Sequence, residues 1–292
     1  MSSAPATRNI TIRRAQPSDA EICGRICYGA FTRLNQQHGF PPDFPSVEVA
    51  VHVLASMFSH PRCFCVVAER GGKILGSNCM DERSDIAGIG PITVDPEGQN
   101  SGVGRLLMQA VMDRAAERRF PGVRLVQAAF HSRSMSLYAK LGFDIREPLV
   151  AMQGAPVWHV PPGHVVRAAE AADLDACNAL CRRVHGHSRS GELADAIDRG
   201  TARVVEHDGR ITAYTTFLGF FGHAVADNNA EMQALIGAAE EFAGPGLLLP
   251  TRNTELFRWC LDHGLRVVQP LTLMSFGLYS EPAGAFLPSI LF

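Results

Sequence analysis

Hydrophobic and polar positions alternate in short runs along the first half of the chain, and longer helical periods interrupt them. The run ITIRRA near residue 10 reads as a strand. The spacing then predicts one helix over about 17–34 and another over about 46–59, and the Pro-rich loop HGFPPDFPS between them is placed to shape a pocket. CFCVVAE, KILGSNCMD and IAGIGPITVD read as successive antiparallel strands, with a turn at Arg70, Gly71 and Gly72. The segment GVGRLLMQAVMDRAAERRF sets Val103, Leu106, Leu107, Ala110, Val111 and Ala115 on one helical face and leaves Arg114, Glu117 and Arg118 on the other. The strand VRLVQAAF, a short helix over about 133–141 and a strand from Phe143 complete the series. The pattern predicts an α/β fold, a mixed and mostly antiparallel sheet flanked by helices.

Gly154, Pro156, Pro161, Pro162 and Gly163 concentrate punctuators in ten residues, where a linker between domains is expected. Beyond them the pattern repeats. Arg13, Asp19, Cys23 and Cys27 recur as Arg167, Asp173, Cys177 and Cys181 at one offset of 154. Glu69, Gly72 and Ile74 recur as Glu206, Gly209 and Ile211 at 137, and Leu141, Gly142 and Phe143 fall on His263, Gly264 and Leu265 at 122. The offsets shrink in order, as deletions would make them. The chain therefore reads as two related domains in tandem, 1–153 and 164–292, the second shorter.

With 292 residues, 46% hydrophobic and 19% charged, each half can bury its own core, which excludes disorder as a description of the whole. A net charge of -2 leaves no basic excess for a phosphate backbone, so no nucleic-acid partner is expected. The charge is uneven, with 17 basic against 14 acidic residues up to Val150 and 10 against 15 after it, which favours an anionic ligand on the first half. Without a membrane-length apolar run or a signal-like N-terminal stretch, the expectation is a soluble cytoplasmic protein with no membrane partner. The eight cysteines are too scattered for a disulfide framework and are expected as reduced, mostly buried thiols. Neither their spacing nor the pair His185 and His187 suits a metal, so none is expected.

The informative segment runs from Ile92, Thr93 and Val94 through Gln99, Asn100, Gly102 and Gly104 into the amphipathic helix. Its glycines let the backbone turn tightly and approach a ligand. The amides from Asn100 through Arg105 point outward from a helix N-terminus with the positive end of the dipole behind them, and pyrophosphate suits such a site. It is not a P-loop, because no Gly-Lys-Ser/Thr follows, and its two glycines do not make a dinucleotide fingerprint.

Two elements together, Gln99-x-x-Gly102-x-Gly104 and Leu137-Tyr138-Ala-Lys-Leu-Gly142-Phe143, resemble the GNAT superfamily of acyl-CoA-dependent N-acetyltransferases over roughly residues 9–152. The resemblance implies that Gln99, Asn100, Gly102, Val103, Gly104 and Arg105 form the CoA pyrophosphate loop, with backbone amides from Asn100 onward as donors. It implies that Ile92, Thr93 and Val94 lie along pantetheine, beside a bulge that Gly88 to Pro91 would suit. Tyr138 falls where the family keeps a general acid near the thioester sulfur; its alternative is an aromatic plug in the core. His131 stands where the family often has Asn, and would order the ligand, relay a proton or cap the short helix. The general base is open: Asp81, Glu82 and Asp85 are candidates, their alternative being an ordinary hydrophilic loop, and positioning alone is another route.

In the second half the loop's counterpart spans Val225 to Leu235, without a glycine pair and with Asp227 and Glu231 near the phosphate position. Cys260 replaces Tyr138, and Asn253 and Trp259 suggest retained architecture. The second half is thus expected to keep the fold without the pyrophosphate loop and to shape the acceptor cleft. The apolar C-terminal tail is expected to dock on the other domain or a neighbouring subunit, where the terminal carboxylate would be a candidate base. The resulting expectation is two GNAT-like domains in tandem, the first an acyltransferase moving an acetyl group from acetyl-CoA, as co-substrate, to a primary amine by direct attack on the thioester. The acceptor is a small-molecule amine or a protein lysine, and a homo-oligomer is allowed. The alternative is a non-catalytic acyl-CoA-binding sensor or partner-binding module.

Overall fold

A computed structural model describes residues 9–291, which cluster into two compact units, one of residues 9–82, 87–123 and Leu291 and the other of 83–86 and 124–290. In the first, β1 (Thr11–Arg14), β2 (Cys63–Arg70), β3 (Lys73–Asp81) and β4 (Ala87–Ile89) lie side by side in that order and pair antiparallel, while β5 (Thr93–Val94) also pairs with β3. The β2–β3 turn uses Gly71 and Gly72 at φ 58 and 82, the left-handed values that match strand twist. The helices α1 (Ala20–Gln37) and α2 (Val47–Ser59) follow the predicted periods, and α2 buries Ala50, Leu54, Met57 and Phe58. Gly24 lets α1 and α2 touch, since a Cβ there would sit 2.5 Å from Val51 Cα. The next helix, α3 (Val103–Glu117), buries Val103, Leu107, Met108, Val111 and Ala115. From β3, Asn78 Nδ2 donates to Leu107 O of α3 at 3.3 Å, which ties the strand to that helix.

The second unit holds two sheets. One runs β6 (Gly122–Ala128), β13 (Arg266–Gly277), β7 (Asp144–Gln153), β12 (Leu247–Pro250); the other runs β14 (Ala285–Leu287), β11 (Ala224–Ala226), β10 (Arg210–Thr215), β9 (Arg203–His207), β8 (Val165–Ala168). Its helices are α4 (Ser132–Lys140), α5 (Leu174–His185), α6 (Ser190–Asp198), α7 (Asn229–Gly237) and α8 (Thr254–Asp262). The repeat is structural. The pair β1 and β8 is separated by 154, as are Asp19 and Asp173, and α4 and α8 by 122. Arg13 grips Asp19 at 2.7 and 3.0 Å and Glu69 at 2.9 Å; Arg167 grips Asp173 at 2.7 and 2.9 Å and Glu206 at 2.9 Å.

The hairpin-like sets β6–α4–β7 and β12–α8–β13 are opened and interleaved: β13 enters between β6 and β7, from Arg266↔Gln153 to Ser275↔Asp144, and β12 lies on the far side of β7. This exchange gathers residues 124–153 with the second half, so the compact units differ from the repeat boundaries 1–153 and 164–292. Residues 154–164 carry no helix or strand, yet they are docked: His159 N donates to Gly237 O at 3.1 Å, and a Cβ on Gly237 would meet His159 O at 1.8 Å. The tail, expected on another domain or subunit, supplies β14 to its own sheet, with Ile290 N donating to Phe220 O at 2.8 Å, while Leu291 clusters with the first unit. Phe292, whose carboxylate was a candidate base, lies outside the described residues. All eight cysteines are buried free thiols. Among the described residues no helix is long and apolar enough to cross a membrane.

Candidate functional site

The predicted strand IAGIGPITVD is broken into β4 and β5. Met80 pairs with Ile89 and Ser77 with Thr93, so three residues, Gly90 to Ile92, oppose two on β3. One extra residue is a bulge, at the place where Gly88 to Pro91 led it to be expected. The strands are pressed together beyond it, since a Cβ on Gly76 would sit 2.3 Å from Thr93 O. Thr93 is buried, whereas Ile92 and Val94 are half-buried.

From β5 the chain passes through a tight 3-10 turn, Pro96–Gly98, closed by Asp95, whose carboxylate accepts from Glu97 N at 2.9 Å. Gln99 and Asn100 are exposed, and Asn100 and Gly102 take left-handed φ values of 63 and 85. Gly102 is the N-cap of α3 and gives it no side-chain cap. Within the helix the first i to i-4 bond is Leu106 N to Gly102 O at 3.1 Å, so the amides of Val103, Gly104 and Arg105 precede the ladder. Arg105 is exposed, and the first turn carries no acidic side chain. Ile92, Thr93, Val94, Gln99, Asn100, Gly102, Val103, Gly104 and Arg105 thus lie on one continuous strand, turn and helix.

The other candidates share α4. His131 is its N-cap residue but makes no side-chain cap; its Nδ1 lies 2.7 Å from Ser134 Oγ. The Ser134 hydroxyl also bonds the Tyr138 phenol, so the three form one chain of hydrogen bonds. Tyr138 is buried, its ring 6.2 Å from that of Phe143, and burial pushes its phenol up to about 12 against the opposing pull of Ser134. The phenol is therefore neutral across the physiological range. Ser134 went unnoticed in the sequence, although its spacing of three and four from His131 and Tyr138 is the helical signal that links them.

In the second half, α7 answers to α3 and its N-terminus is closed. The Asn228 side chain accepts from Ala230 N at 2.9 Å and Glu231 N at 3.3 Å, a side-chain cap that α3 lacks. Glu231 is buried and accepts from Thr212 Oγ1 and His207 Nδ1, while Asp227 pairs with Arg183 at 2.9 Å. Asn253 caps α8 through Leu256 N, and Trp259 stacks on His263. Burial pushes the Cys260 thiol up to about 12, which leaves it no nucleophilic thiolate.

The candidate carboxylates are engaged elsewhere. Glu82 holds Arg114 through two bonds of 2.7 and 3.2 Å, and Asp85 accepts from Ser188 N at 2.8 Å. Asp81 is buried at the end of β3. One further cluster, invisible to local spacing, gathers His164, His207 and Glu231, with one ligand atom from each within 4.8 Å of the others.

Residues 31–143 match the model of the Acetyltransferase (GNAT) family. A curated mycothiol acetyltransferase of Tsukamurella paurometabola is 28% identical over 156 residues, 50% of this chain and 52% of that protein, so the match spans about half of the relative's length. A Pyrococcus horikoshii structure designated an acetyltransferase is 18% identical with a TM-score of 0.75, covering 98% of this chain and 97% of that one. A GCN5-related N-acetyltransferase of Sphaerobacter thermophilus is 17% identical with a TM-score of 0.62, covering 94% and 97%. At these identities the two structures show a common fold over nearly the whole chain. The glycine-opened α3 and the strands that lead into it lie inside residues 31–143, the part of the chain that matches the Acetyltransferase (GNAT) family.

Proposed function

We propose that this protein transfers the acetyl group of acetyl-CoA to a primary amine, by direct attack of the amine on the thioester. The observation that carries this reading is the contrast between two helix starts. At α3 the N-cap is a glycine with no side chain and the amides stand open; at α7 the Asn228 side chain fills them. A pyrophosphate is a multiply charged acceptor that open amides, with the helix dipole behind them, are suited to hold. In this reading Gln99, Asn100, Gly102, Val103, Gly104 and Arg105 hold the pyrophosphate. Ile92, Thr93 and Val94, displaced by the bulge, accompany pantetheine, and the second half binds no CoA.

The mechanism follows from those placements. Backbone donors near the bulge stabilise charge developing on the thioester carbonyl oxygen. As the C–S bond breaks, the sulfur takes the electron pair, and Tyr138 donates to it. A phenol at about 12 facing a thiolate of ordinary acidity, near 8.5, makes complete transfer uphill by roughly 5 kcal/mol. Tyr138 therefore stabilises the leaving thiolate chiefly as a hydrogen-bond donor, and the Ser134–His131 chain provides a route for the proton that completes the thiol. Glu82 and Asp85 are committed to structural bonds, so positioning supplies much of the rate and solvent carries the amine's proton away. The acceptor class is a small-molecule amine or a protein lysine. The buried reduced thiols fit a reducing compartment such as the cytoplasm.

The test is a calorimetric titration of the full chain with acetyl-CoA, followed by a panel of amines read out by release of free CoA thiol. One site per chain, abolished by Gly104→Glu, together with turnover on at least one amine, is the expected result. Binding without turnover across polyamines, amino acids, aminosugars and a lysine peptide would favour an acyl-CoA sensor. No binding would overturn the reading.

A further inference from the structure

The cluster of His164, His207 and Glu231 lies in the second unit and serves none of the chemistry above. Its ligands come from three separate segments: His164 from the docked stretch before β8, His207 from the end of β9 and Glu231 from the first turn of α7. His207 Nδ1 is 2.8 Å from Glu231 Oε1, and His164 Nε2 is 3.2 Å from Glu231 Oε2. The side chains of His164 and Glu231 are 5% and 4% exposed.

Their hydrogen bonding is incomplete in an informative way. His164 Nδ1 faces two backbone carbonyls, Pro161 O at 3.2 Å and Pro162 O at 3.1 Å, and a carbonyl can only accept, so Nδ1 carries the proton. In the neutral ring Nε2 is then a lone pair. It is buried, faces a carboxylate oxygen and makes no hydrogen bond, because its contact with Glu231 lacks the geometry for one. The two imidazoles lie with centroids 4.0 Å apart and planes 32° from parallel, an arrangement that two cationic rings would oppose by direct repulsion. A buried nitrogen lone pair against a carboxylate calls for a positive centre between them, which a proton or a metal ion supplies.

The outer contacts match what metal-bound histidines keep. A ligating imidazole usually donates its other N–H to a carbonyl or carboxylate. His164 Nδ1 has its carbonyls at 3.1 and 3.2 Å. Thr212 Oγ1 donates to Glu231 Oε2, which fixes the carboxylate. Two imidazoles and one carboxylate suit a borderline divalent ion, and a tetrahedral zinc would space its ligand atoms about 3.3–3.5 Å apart, within reach of the present separations. With His207 half-buried, the fourth position is open to water.

We infer that His164, His207 and Glu231 form a zinc site of the second half, with a water as fourth ligand, that ties the docked linker to β9 and α7. Binding exchanges the proton between His207 Nδ1 and Glu231 for the metal, M²⁺ entering as H⁺ leaves to solvent. The site is independent of acetyl transfer.

The full chain, stripped with a chelator and dialysed, should be titrated with ZnCl₂ by calorimetry and with CoCl₂ by visible absorption. The expected result is one ion per chain, four-coordinate ligand-field bands with cobalt, and a rise in melting temperature on adding zinc. His207→Ala and Glu231→Gln should abolish all three while circular dichroism shows both variants folded, the second keeping an acceptor for Thr212. Absence of stoichiometric binding, or binding that survives unchanged in His207→Ala, would overturn the proposal; the latter would place the ion on the thiols instead.

Discussion

Replacing Tyr138 with Phe removes one oxygen and nothing else of consequence to packing. The ring keeps its place 6.2 Å from Phe143, and Ser134 keeps its bond to His131. Losing one neutral buried hydrogen bond costs about 0.5–1.5 kcal/mol, and in a chain somewhat longer than 250 residues each kcal/mol moves the melting temperature by only about 2–4 °C. The variant should therefore fold, and its acetyl-CoA affinity should stay within about twofold. The kinetic effect is bounded by the same geometry. Positioned acids contribute about 10²–10⁴-fold, and since complete transfer from a phenol at about 12 to an ordinary thiolate is uphill, the lower end applies. We expect kcat to fall about 100-fold, close to 2.7 kcal/mol of barrier, in a steady-state thiol-release assay on the amine found in the panel. Ser134→Ala should lose less, and the double variant should lose no more than Tyr138→Phe alone, because the two groups act in one chain. A Tyr138→Phe enzyme within about threefold of wild type would refute the role given to the phenol.

Three further outcomes follow from geometry elsewhere. Gly76→Ala must push β5 off β3, given the 2.3 Å approach to Thr93 O, and should weaken acetyl-CoA binding in calorimetry by about tenfold or more, with roughly 1–3 kcal/mol lost from stability. Burial lowers His187 and His223 to about 4, below the unfolded value near 6.5, and lowers His185 further, so each favours the folded state fully above pH 6.5 and loses about 1.4 kcal/mol per pH unit as the pH falls toward 4; urea denaturation at pH 7 and 5 should show this fall, and His187→Gln should reduce its slope by one histidine's share. The bonds from Arg167 hold Asp173 below the usual carboxylate range, as those from Arg13 hold Asp19, so Asp173→Asn and Asp19→Asn should each cost about 1–2 kcal/mol at pH 7, a difference that disappears as acid protonates the carboxylate below its ordinary range.

The elements themselves were legible because each satisfies a local rule. Short apolar runs bounded by turn residues set β2 and β3, the 3.6 period set α2 and α3, and the glycine pair set the turn between β2 and β3. The repeat was legible because Arg13, Asp19 and Glu69 form a closed constellation that leaves the same three residue types at fixed offsets in Arg167, Asp173 and Glu206. What escaped depends on partners far apart in the chain. Nothing local in Arg266–Gly277 says that it pairs with β7 from Asp144 to Gln153, since a ladder is built from backbone groups that every residue carries. Nor does any spacing bring His164, His207 and Glu231 together, because a metal-like cluster drawn from a linker, a strand end and a helix start has no motif. The closed start of α7 was half legible: the missing glycines and the acidic residues spoke against phosphate, but the cap at Asn228 is what fills the amides.

With CoA assigned to the first half under the proposed function, the strand exchange gives the second half a separate role. Because β13 stands between β6 and β7, a chain ending at Gln153 would leave the edges of both strands that face it without their ladder. The ten β7 residues Asp144–Gln153 would also lose β12 on the other side. Exposed apolar strand edges recruit other chains, and β7 is apolar over Leu149 to Met152, all buried in the full protein. Expression of residues 1–153 alone should give an aggregating or mispaired product, detected as large species in size-exclusion chromatography and as loss of acetyl-CoA binding, even though every residue proposed to touch the cofactor is present. Co-expression with residues 154–292 should restore a soluble 1:1 complex. A monomeric 1–153 fragment that binds acetyl-CoA as the full chain does would show that the first repeat closes its sheet unaided, and the second half would then need a different justification, in the acceptor or in the metal.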